Sequence, residues 1–201
     1  MKKLSIVLCL AAGVVLLGGN ALAQGDNSYY FVTYYSNANT KGAPDGVLRL
    51  VNDGGASTYE IEGIPGGSLY ASVYVFDDSQ ELQECCNCYI SPDGLLSESV
   101  DKGLTANTLT GKVLTRGVIK VISSSNYDPT DNVPQPGIWG WMTQIQKGGP
   151  TGPAWPVVEA PLADSNLSAA ELSALQSSCS FAITLGSGHG ICSCTAEDSD
   201  F

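Results

Sequence analysis

The chain has 201 residues, of which 9 are basic and 20 acidic, so its formal net charge is −11 at pH 7. This negative charge repels phosphate backbones, which excludes nucleic acid as an expected partner, and it also disfavours anionic membrane surfaces. Only 14% of the residues are charged and 23 are glycine, a composition common in extracellular β proteins built from short strands and turns.

The first 23 residues have the pattern of a signal peptide. Two lysines precede an apolar run, Leu4–Leu17, and residues 21–23 (Ala-Leu-Ala) form a small-x-small cleavage site. The apolar run is shorter than the ~20 residues that a spanning helix needs, so we expect cleavage and no membrane span afterwards. The remaining residues, 24–201, are enough for a single domain with a hydrophobic core. The compact signal looks bacterial and predicts export to the periplasm, cell surface or medium.

Residue type and alternation predict the first strands. Tyr29–Tyr35 is rich in aromatic and β-branched residues, which favour a strand. Both of its faces are bulky, so it is expected either to lie within its own sheet or to pair with another chain. Val47–Val51 and Ser57–Ile61 flank Asn-Asp-Gly-Gly, residues that supply the positive φ angles of a tight turn, and this predicts a hairpin. Leu69–Phe76 is strongly apolar with period two, which predicts a central strand.

The segment after this central strand is acidic. Asp77 and Asp78 end the strand, and Ser79–Glu84 is expected to turn helically into the cysteine cluster. These carboxylates can be interpreted as an acid–base pair for catalysis. We prefer the alternative that they are solvated turn residues.

Two further strands carry candidate ligand-binding residues. Lys112–Ser123 and Ile138–Gln146 are predicted strands, separated by a proline-rich loop. Alternation places Trp139 and Trp141 on one face of the second of these strands. Trp155 follows in a segment rich in proline and glycine. The three tryptophans can stack on sugar rings, and the alternative is that they anchor the core or the loops.

One helix is predicted near the C-terminal end of the chain, roughly over residues 169–182. Ser168 and Glu171 have the spacing of a capping box. Leu175 and Cys179 then recur at helical spacing, which indicates one buried face.

Six cysteines follow the signal segment, which carries the seventh. In an oxidising compartment an even number predicts full pairing into three disulfides, with the connectivity left open. Cys85 and Cys86 are adjacent and rarely bond each other, so separate partners are expected, and the helix brings Cys179 toward this cluster. The disulfide candidates are Cys85, Cys86, Cys88, Cys179, Cys192 and Cys194.

A metal site is the alternative use of these cysteines. Cys192 and Cys194, with His189 three residues upstream, are chemically able to bind zinc or copper(I). The two paired Cys-x-x-Cys motifs of a zinc ribbon are missing from the sequence. His189 is the only histidine, so any Ser-His or Cys-His hydrolase would have to use it, and no Gly-x-Ser-x-Gly motif is present. We therefore predict no catalytic residue and no cofactor.

Several short patterns occur together. Tyr74–Asp77 (YVFD) leads into Glu84–Cys88 (ECCNC), and Cys179 precedes Gly186–Gly190 (GSGHG) and Ile191–Cys194 (ICSC). This combination resembles a set of secreted proteins from soil bacteria over most of the chain after the signal segment. The resemblance implies that the cysteine framework and the C-terminal helix belong to one unit, and it implies no activity or ligand.

The sequence thus predicts a mainly β fold, a disulfide-stapled β-sandwich of about seven short strands with one C-terminal α-helix. The expected function is non-enzymatic: an exported structural or interaction protein of the bacterial envelope or extracellular space. It would associate with itself, for example by strand addition through the N-terminal strand, or with other surface proteins. The alternatives are a glycan-binding module that uses exposed tryptophans and a small Cys/His metal-binding protein.

Overall fold

The structure is a computed structural model, and it describes residues 28–57, 65–148 and 154–194. Over these residues the chain forms nine β-strands, one π-helical turn and one α-helix. In chain order they are β1 Tyr30–Ser36, β2 Val47–Asn52, β3 Leu69–Asp77, β4 Leu82–Ile90, β5 Leu95–Ser99, the π-helical turn Val100–Leu104, β6 Arg116–Ser124, β7 Ile138–Ile145, β8 Val157–Pro161, β9 Ala163–Asp164 and α1 Ala169–Leu185. Two antiparallel sheets result, with strand orders β4-β3-β6-β1-β9 and β5-β2-β7-β8. The predicted β-rich fold with one helix near the C-terminal end is confirmed.

The main hydrophobic core contains the inward-facing residues of both sheets. In β3, Leu69, Ala71, Val73 and Val75 are all fully buried in this core, because side chains alternate between the two faces of a strand. Leu48 of β2 belongs to the same buried cluster from the other sheet. Each fully buried aliphatic side chain of this size stabilises the fold by roughly 1.5–3 kcal/mol.

Helix α1 covers the outer face of the five-stranded sheet. Its buried residues Leu175, Cys179 and Ala182 lie one helical turn apart and form a second apolar cluster with Tyr30 and Tyr74. The helix therefore shields from solvent a sheet face that carries large aromatic side chains.

The start of α1 agrees with the sequence prediction, although one member of the predicted capping box acts differently. The Ser168 hydroxyl accepts a hydrogen bond from the Glu171 N–H at 3.1 Å, as a cap requires. The Glu171 carboxylate instead accepts from Lys120 Nζ at 2.5 Å and from the Tyr30 hydroxyl at 3.0 Å, so it ties the helix to the sheet. The helix ends at Leu185, three residues beyond the predicted end.

The predicted hairpin around Asn-Asp-Gly-Gly is wrong. β2 pairs with β5 along one edge and with β7 along the other, so Ser57–Ile61 has no free edge of β2 to pair with. Residues 58–64 lie outside the described residues. The Asn52 side chain donates to two backbone carbonyls at 2.8 and 3.0 Å, which fixes the chain after β2.

The predicted helical turn over Ser79–Glu84 is also wrong. β3 ends at Asp77, the chain reverses, and β4 begins at Leu82. The Asp77 N–H donates to the Glu81 carbonyl at 3.0 Å, which closes a strand-to-strand turn. The cysteine cluster consequently lies on a strand, where successive side chains point to opposite faces.

The remaining predicted elements differ from the structure only at their ends. β1, β6 and β7 match the predicted strands within a few residues. The predicted signal peptide, residues 1–23, lies outside the described residues. Among the residues that are described, no helix is long and apolar enough to cross a membrane.

Candidate functional site

Three disulfides join β4 to the end of the described chain. Cys85 bonds Cys179 of α1 with an S–S distance of 2.07 Å, on the outer face of the five-stranded sheet. Cys86 and Cys88 belong to the core between the sheets, and they bond the cysteines of the last described segment. The expected bond from Cys179 to the cluster is confirmed, as are the separate partners of the two adjacent cysteines.

The last described segment, Ile191–Cys194, runs beside β4. The Cys85 N–H donates to the Gly190 carbonyl at 2.9 Å, and the Cys192 N–H donates back to the Cys85 carbonyl at 3.2 Å. The bridge between Cys85 and Ile191 is parallel. Cys192 bonds Cys86 and Cys194 bonds Cys88, so this segment is covalently held over the outer edge of β4.

The predicted metal ligands do not form one site: Cys192 and Cys194 are in disulfides, whereas His189 lies on a loop beside Asn107. The two sulfurs are bonded to other sulfurs, and a disulfide sulfur carries no thiolate for a metal. His189 is exposed, and its Nδ1 lies 3.0 Å from Asn107 Oδ1. The Asn107 amide also donates to two backbone carbonyls of the loop after α1, so the polar groups around His189 fix this loop. In this oxidised form the predicted set of three ligands does not offer a metal site.

Asp77, one of the acid–base candidates, acts as a turn-forming carboxylate. It is 3% exposed, and it accepts hydrogen bonds from the Ser79 N–H at 2.8 Å, the Glu81 N–H at 3.0 Å and Lys112 Nζ at 2.9 Å. Burial alone would raise the pKa of Asp77. The Lys112 ammonium and the backbone N–H groups outweigh burial and hold this pKa below its usual value.

Glu84 is a carboxyl group whose surroundings strongly perturb its protonation. Its side chain is fully buried. Oε1 accepts from the Asn107 N–H at 2.8 Å, and Oε2 has no hydrogen-bond partner among the described residues. Burial raises the pKa of Glu84 to about 7, and the single N–H donor only partly offsets this.

Two of the three candidate tryptophans share an exposed sheet face. In β7 the residues Ile138, Gly140 and Met142 are buried, whereas Trp139 and Trp141 alternate with them and point outward. Trp141 is 38% exposed. The Trp139 indole N–H donates to the carboxylate of a neighbouring loop aspartate at 3.0 Å.

The strands beside β7 complete this surface. Val51 of β2 pairs with Trp139, Arg49 pairs with Trp141, and Leu95 of β5, which is 60% exposed, pairs with Val51. We call this surface the tryptophan face, defined by Arg49, Val51, Leu95, Trp139 and Trp141. The guanidinium of Arg49 is 2.7 Å from a threonine hydroxyl of β7 and 2.9 Å from a glutamate carboxylate of β8, so polar groups border the indoles.

Trp155 lies apart in the chain from the two strand tryptophans. It occupies the loop before β8, is half-buried, and its indole nitrogen lies beside Gly42. Trp155 therefore anchors a loop, and its substitution can serve as a control for substitution of the exposed indoles.

The N-terminal strand is already paired within its own sheet. β1 pairs with β6 along all seven of its residues and with β9 at Phe31 and Val32. Strand addition through β1 would have to break these existing pairs.

Sequence reasoning identified Trp139 and Trp141, but it did not identify Arg49 or Leu95, and it interpreted Glu84 as one of the solvated turn carboxylates, whereas the structure buries it. The alternation of apolar and polar residues in β2 could have identified Arg49 as outward-facing, because it lies between two buried leucines. The burial of Glu84 had no such signal, since a glutamate beside cysteines is also typical of an exposed strand end.

No protein-family model matches the chain, and comparisons with curated proteins and with solved structures found no significant match.

Proposed function

We propose that this protein is an exported, non-enzymatic interaction protein of the bacterial envelope or extracellular space, and that it binds its partner through the tryptophan face. The observation that carries the proposal is the outward orientation of Trp139 and Trp141, next to exposed Leu95, on one sheet. Contiguous apolar groups rimmed by polar residues are typical of interaction sites on proteins of this size. Tryptophan and arginine are also the residues that most often dominate binding energy.

The difference between the two sheets supports this choice of surface. The outer face of the five-stranded sheet is packed against α1, and its aromatic residues Tyr30 and Tyr74 are buried there. The indoles of the four-stranded sheet instead reach solvent, although burying a tryptophan is favourable. A surface that keeps such residues exposed is best explained by contact with a partner.

Binding rather than catalysis is proposed because the candidate acid–base groups have other roles. Asp77 holds a turn, Glu84 is buried with one backbone donor, and His189 contacts an asparagine on a loop. The three disulfides support a location in an oxidising compartment, where such bonds persist.

A glycan is the partner class that the tryptophan face favours. Side chains two residues apart in a strand are about 7 Å apart along it, so one oligosaccharide can contact both indoles. Sugar C–H groups stack on indole rings, while Arg49 and its carboxylate partner offer hydrogen bonds to hydroxyl groups. Because this arginine is paired with a carboxylate, a neutral glycan fits better than an acidic one.

Self-association by strand addition is less well supported. β1 is paired on both sides, and the segment Ile191–Cys194 lies over the outer edge of β4. Covered edges of this kind hinder pairing with another chain. If copies associate, we propose that they do so through the tryptophan face.

Calorimetry with the disulfide-intact protein and a panel of neutral oligosaccharides tests the proposal. Trp141→Ala should weaken binding by about 30-fold, the effect of losing roughly 2 kcal/mol at a hot spot. Trp155→Ala removes an indole elsewhere and should change the affinity less than about twofold, which makes it the matched control.

The outcomes separate the partner classes. If Trp141→Ala and Trp155→Ala weaken binding equally, this result would contradict the role of the tryptophan face. If no glycan binds, sedimentation of the wild type and of Trp141→Ala tests self-association through the same face. A wild type that remains monomeric and binds no glycan would overturn both versions of the proposal.

A further inference from the structure

Two of the three disulfides lie side by side in the core. Cys86–Cys192 and Cys88–Cys194 have S–S distances of 2.00 and 2.12 Å, and their Cα atoms are 5.2 and 5.3 Å apart. The sulfurs of Cys86 and Cys88 are 4.0 Å apart, and those of Cys86, Cys88 and Cys194 all lie within 4.8 Å of one another. Four sulfurs therefore occupy one small cluster.

The backbone holds this cluster together without help from the two S–S bonds. The segment that carries Cys192 and Cys194 exchanges two hydrogen bonds with Cys85, at 2.9 and 3.2 Å, and a third joins Ser193 to the π-helical turn at 3.4 Å. The disulfide from Cys85 to α1 lies on the opposite face of β4 and anchors the same region. Opening the two inner disulfides would leave both Cys-x-Cys pairs facing each other.

We propose that these two disulfides are the oxidised form of a four-thiolate site for Zn²⁺, with Cys86, Cys88, Cys192 and Cys194 as ligands. In a tetrahedral site with Zn–S bonds of about 2.3 Å, the sulfurs are about 3.8 Å apart. The Cys86 sulfur lies 4.0 Å from that of Cys88 and within 4.8 Å of that of Cys194, so these separations already approach this value, and Cys192, released from Cys86 by reduction, would supply the fourth sulfur. Thiolate sets of this kind select soft metal ions over calcium or magnesium.

This site differs from a Cys/His site, because His189 is not one of its ligands. Among the described residues, the potential metal ligands that lie close together are Cys86, Cys88 and Cys194. The fourth proposed ligand, Cys192, is bonded to Cys86. The imidazole of His189 is held by Asn107 on the loop. Cys194 is only half-buried, so it provides the route by which a reductant or a metal ion reaches the cluster.

A small-molecule thiol can act as the reductant that opens the two inner disulfides. Four thiols reduce the two disulfides by exchange, giving four protein thiols and two oxidised disulfides of the reductant. Binding of one Zn²⁺ then displaces four protons and leaves four thiolates on the metal. Reoxidation by a small-molecule disulfide reverses the exchange: two molecules of this oxidant are reduced to four thiols, the two protein disulfides re-form and the ion is released. The metal-bound and disulfide forms therefore exclude each other.

Cobalt(II) is the probe for this site, since its visible absorption reports tetrahedral thiolate coordination. The full protein is reduced with a phosphine, transferred to reductant-free anaerobic buffer and titrated with Co²⁺, and then Zn²⁺ is added to displace the cobalt. We expect one equivalent of Co²⁺ with thiolate charge-transfer bands, and no binding by the oxidised protein. Cys192→Ser/Cys194→Ser should lower the affinity by more than about 100-fold, a larger loss than outer-shell changes cause.

Two variants act as matched controls. Cys85→Ala/Cys179→Ala removes the other disulfide and should keep the cobalt spectrum, and His189→Ala should also keep it. Binding that requires His189, or that survives the loss of Cys192 and Cys194, would overturn the proposal. Circular dichroism of the same samples completes the test. A reduced protein that stays folded without binding Co²⁺, or one that unfolds and is not refolded by it, would overturn it as well.

Discussion

Replacing Glu84 with glutamine is expected to reduce the fall in stability between about pH 4.5 and pH 7 in the oxidised protein. The carboxyl group is fully buried, and only the Asn107 N–H donates to it. Burial raises its pKa to about 7, whereas the ordinary value is 4.5. As the pH rises, the unfolded chain therefore loses this proton before the folded protein does. The resulting contribution to stability is fully present below pH 4.5, falls as the pH rises, and levels off above pH 7.

The size of the effect follows from the pKa difference. Each unit of pKa corresponds to 1.36 kcal/mol, so the free energy of unfolding should fall by about 3 kcal/mol across this window. Asp77 and Glu171 act in the opposite direction, because the ion pairs and hydrogen bonds that these carboxylates accept outweigh burial and lower their pKa values. Their contributions are lost as the pH falls below about 4, which lies outside the window that Glu84 controls.

Urea unfolding at pH 4.5, 5.5, 6.5 and about 8 gives the measurement, with wild type, Glu84→Gln and the control Glu81→Gln compared at each pH. Glu81 is exposed in the turn before β4, so its variant should follow the wild type. The glutamine amide of the Glu84 variant leaves a buried N–H group to satisfy, which costs about 1–3 kcal/mol at every pH. The slope with pH is therefore the test. If the free energy of unfolding depends on pH in the same way for wild type and Glu84→Gln, the Glu84 carboxyl group does not cause the fall in stability.

Three further sets of substitutions test which contacts stabilise the fold. For each of them the free energy of unfolding is measured by urea or thermal unfolding and compared with that of the wild type. Asp77→Asn should destabilise the protein by about 2–4 kcal/mol, because Lys112 loses its ion-pair partner and a neutral amide replaces the buried carboxylate that accepts the turn N–H groups. The matched change at Asp78, whose side chain is 43% exposed, is Asp78→Asn, and it should cost less than about 1 kcal/mol. Cys85→Ala/Cys179→Ala opens a link across 94 residues and should cost about 3–5 kcal/mol; an unchanged midpoint would contradict this. Gly117→Ala places a Cβ 1.9 Å from a carbonyl oxygen of β3, so a loss of about 3 kcal/mol or more is expected, and wild-type stability would show that the strands can separate there.

Local signals in the sequence were sufficient where neighbouring residues alone decide the structure. The alternation of Ala71, Val73 and Val75 identified a core strand, because period two places side chains on one face. Ser168 identified the start of α1, since its hydroxyl caps the N–H of Glu171. The shared face of the two indoles of β7 followed from the same alternation, but their exposure did not.

Local signals failed where the partner of a segment is distant in the chain. Asn-Asp-Gly-Gly is a good turn sequence, yet β2 pairs with β5 and β7, and no local rule predicts those partners. The segment Ser79–Glu84 was misread because the turn after β3 depends on the buried carboxylate of Asp77. The different directions of Cys85 and Cys86 were expected, but without the strand it was not assigned which of them faces α1 and which faces the core.

Residue type and short-range periodicity were enough to predict the β-rich class, a helix near the C-terminal end, the disulfide-forming cysteines and the shared face of Trp139 and Trp141 on β7. They were not enough to predict which cysteines bond each other, that the Glu84 carboxyl group is buried, or which sheet face stays exposed, because these outcomes depend on packing between segments that are distant in the chain. Helix α1 covers one sheet and leaves the tryptophan face of the other in solvent, and the strand β4 turns Cys85 toward that helix and Cys86 toward the core.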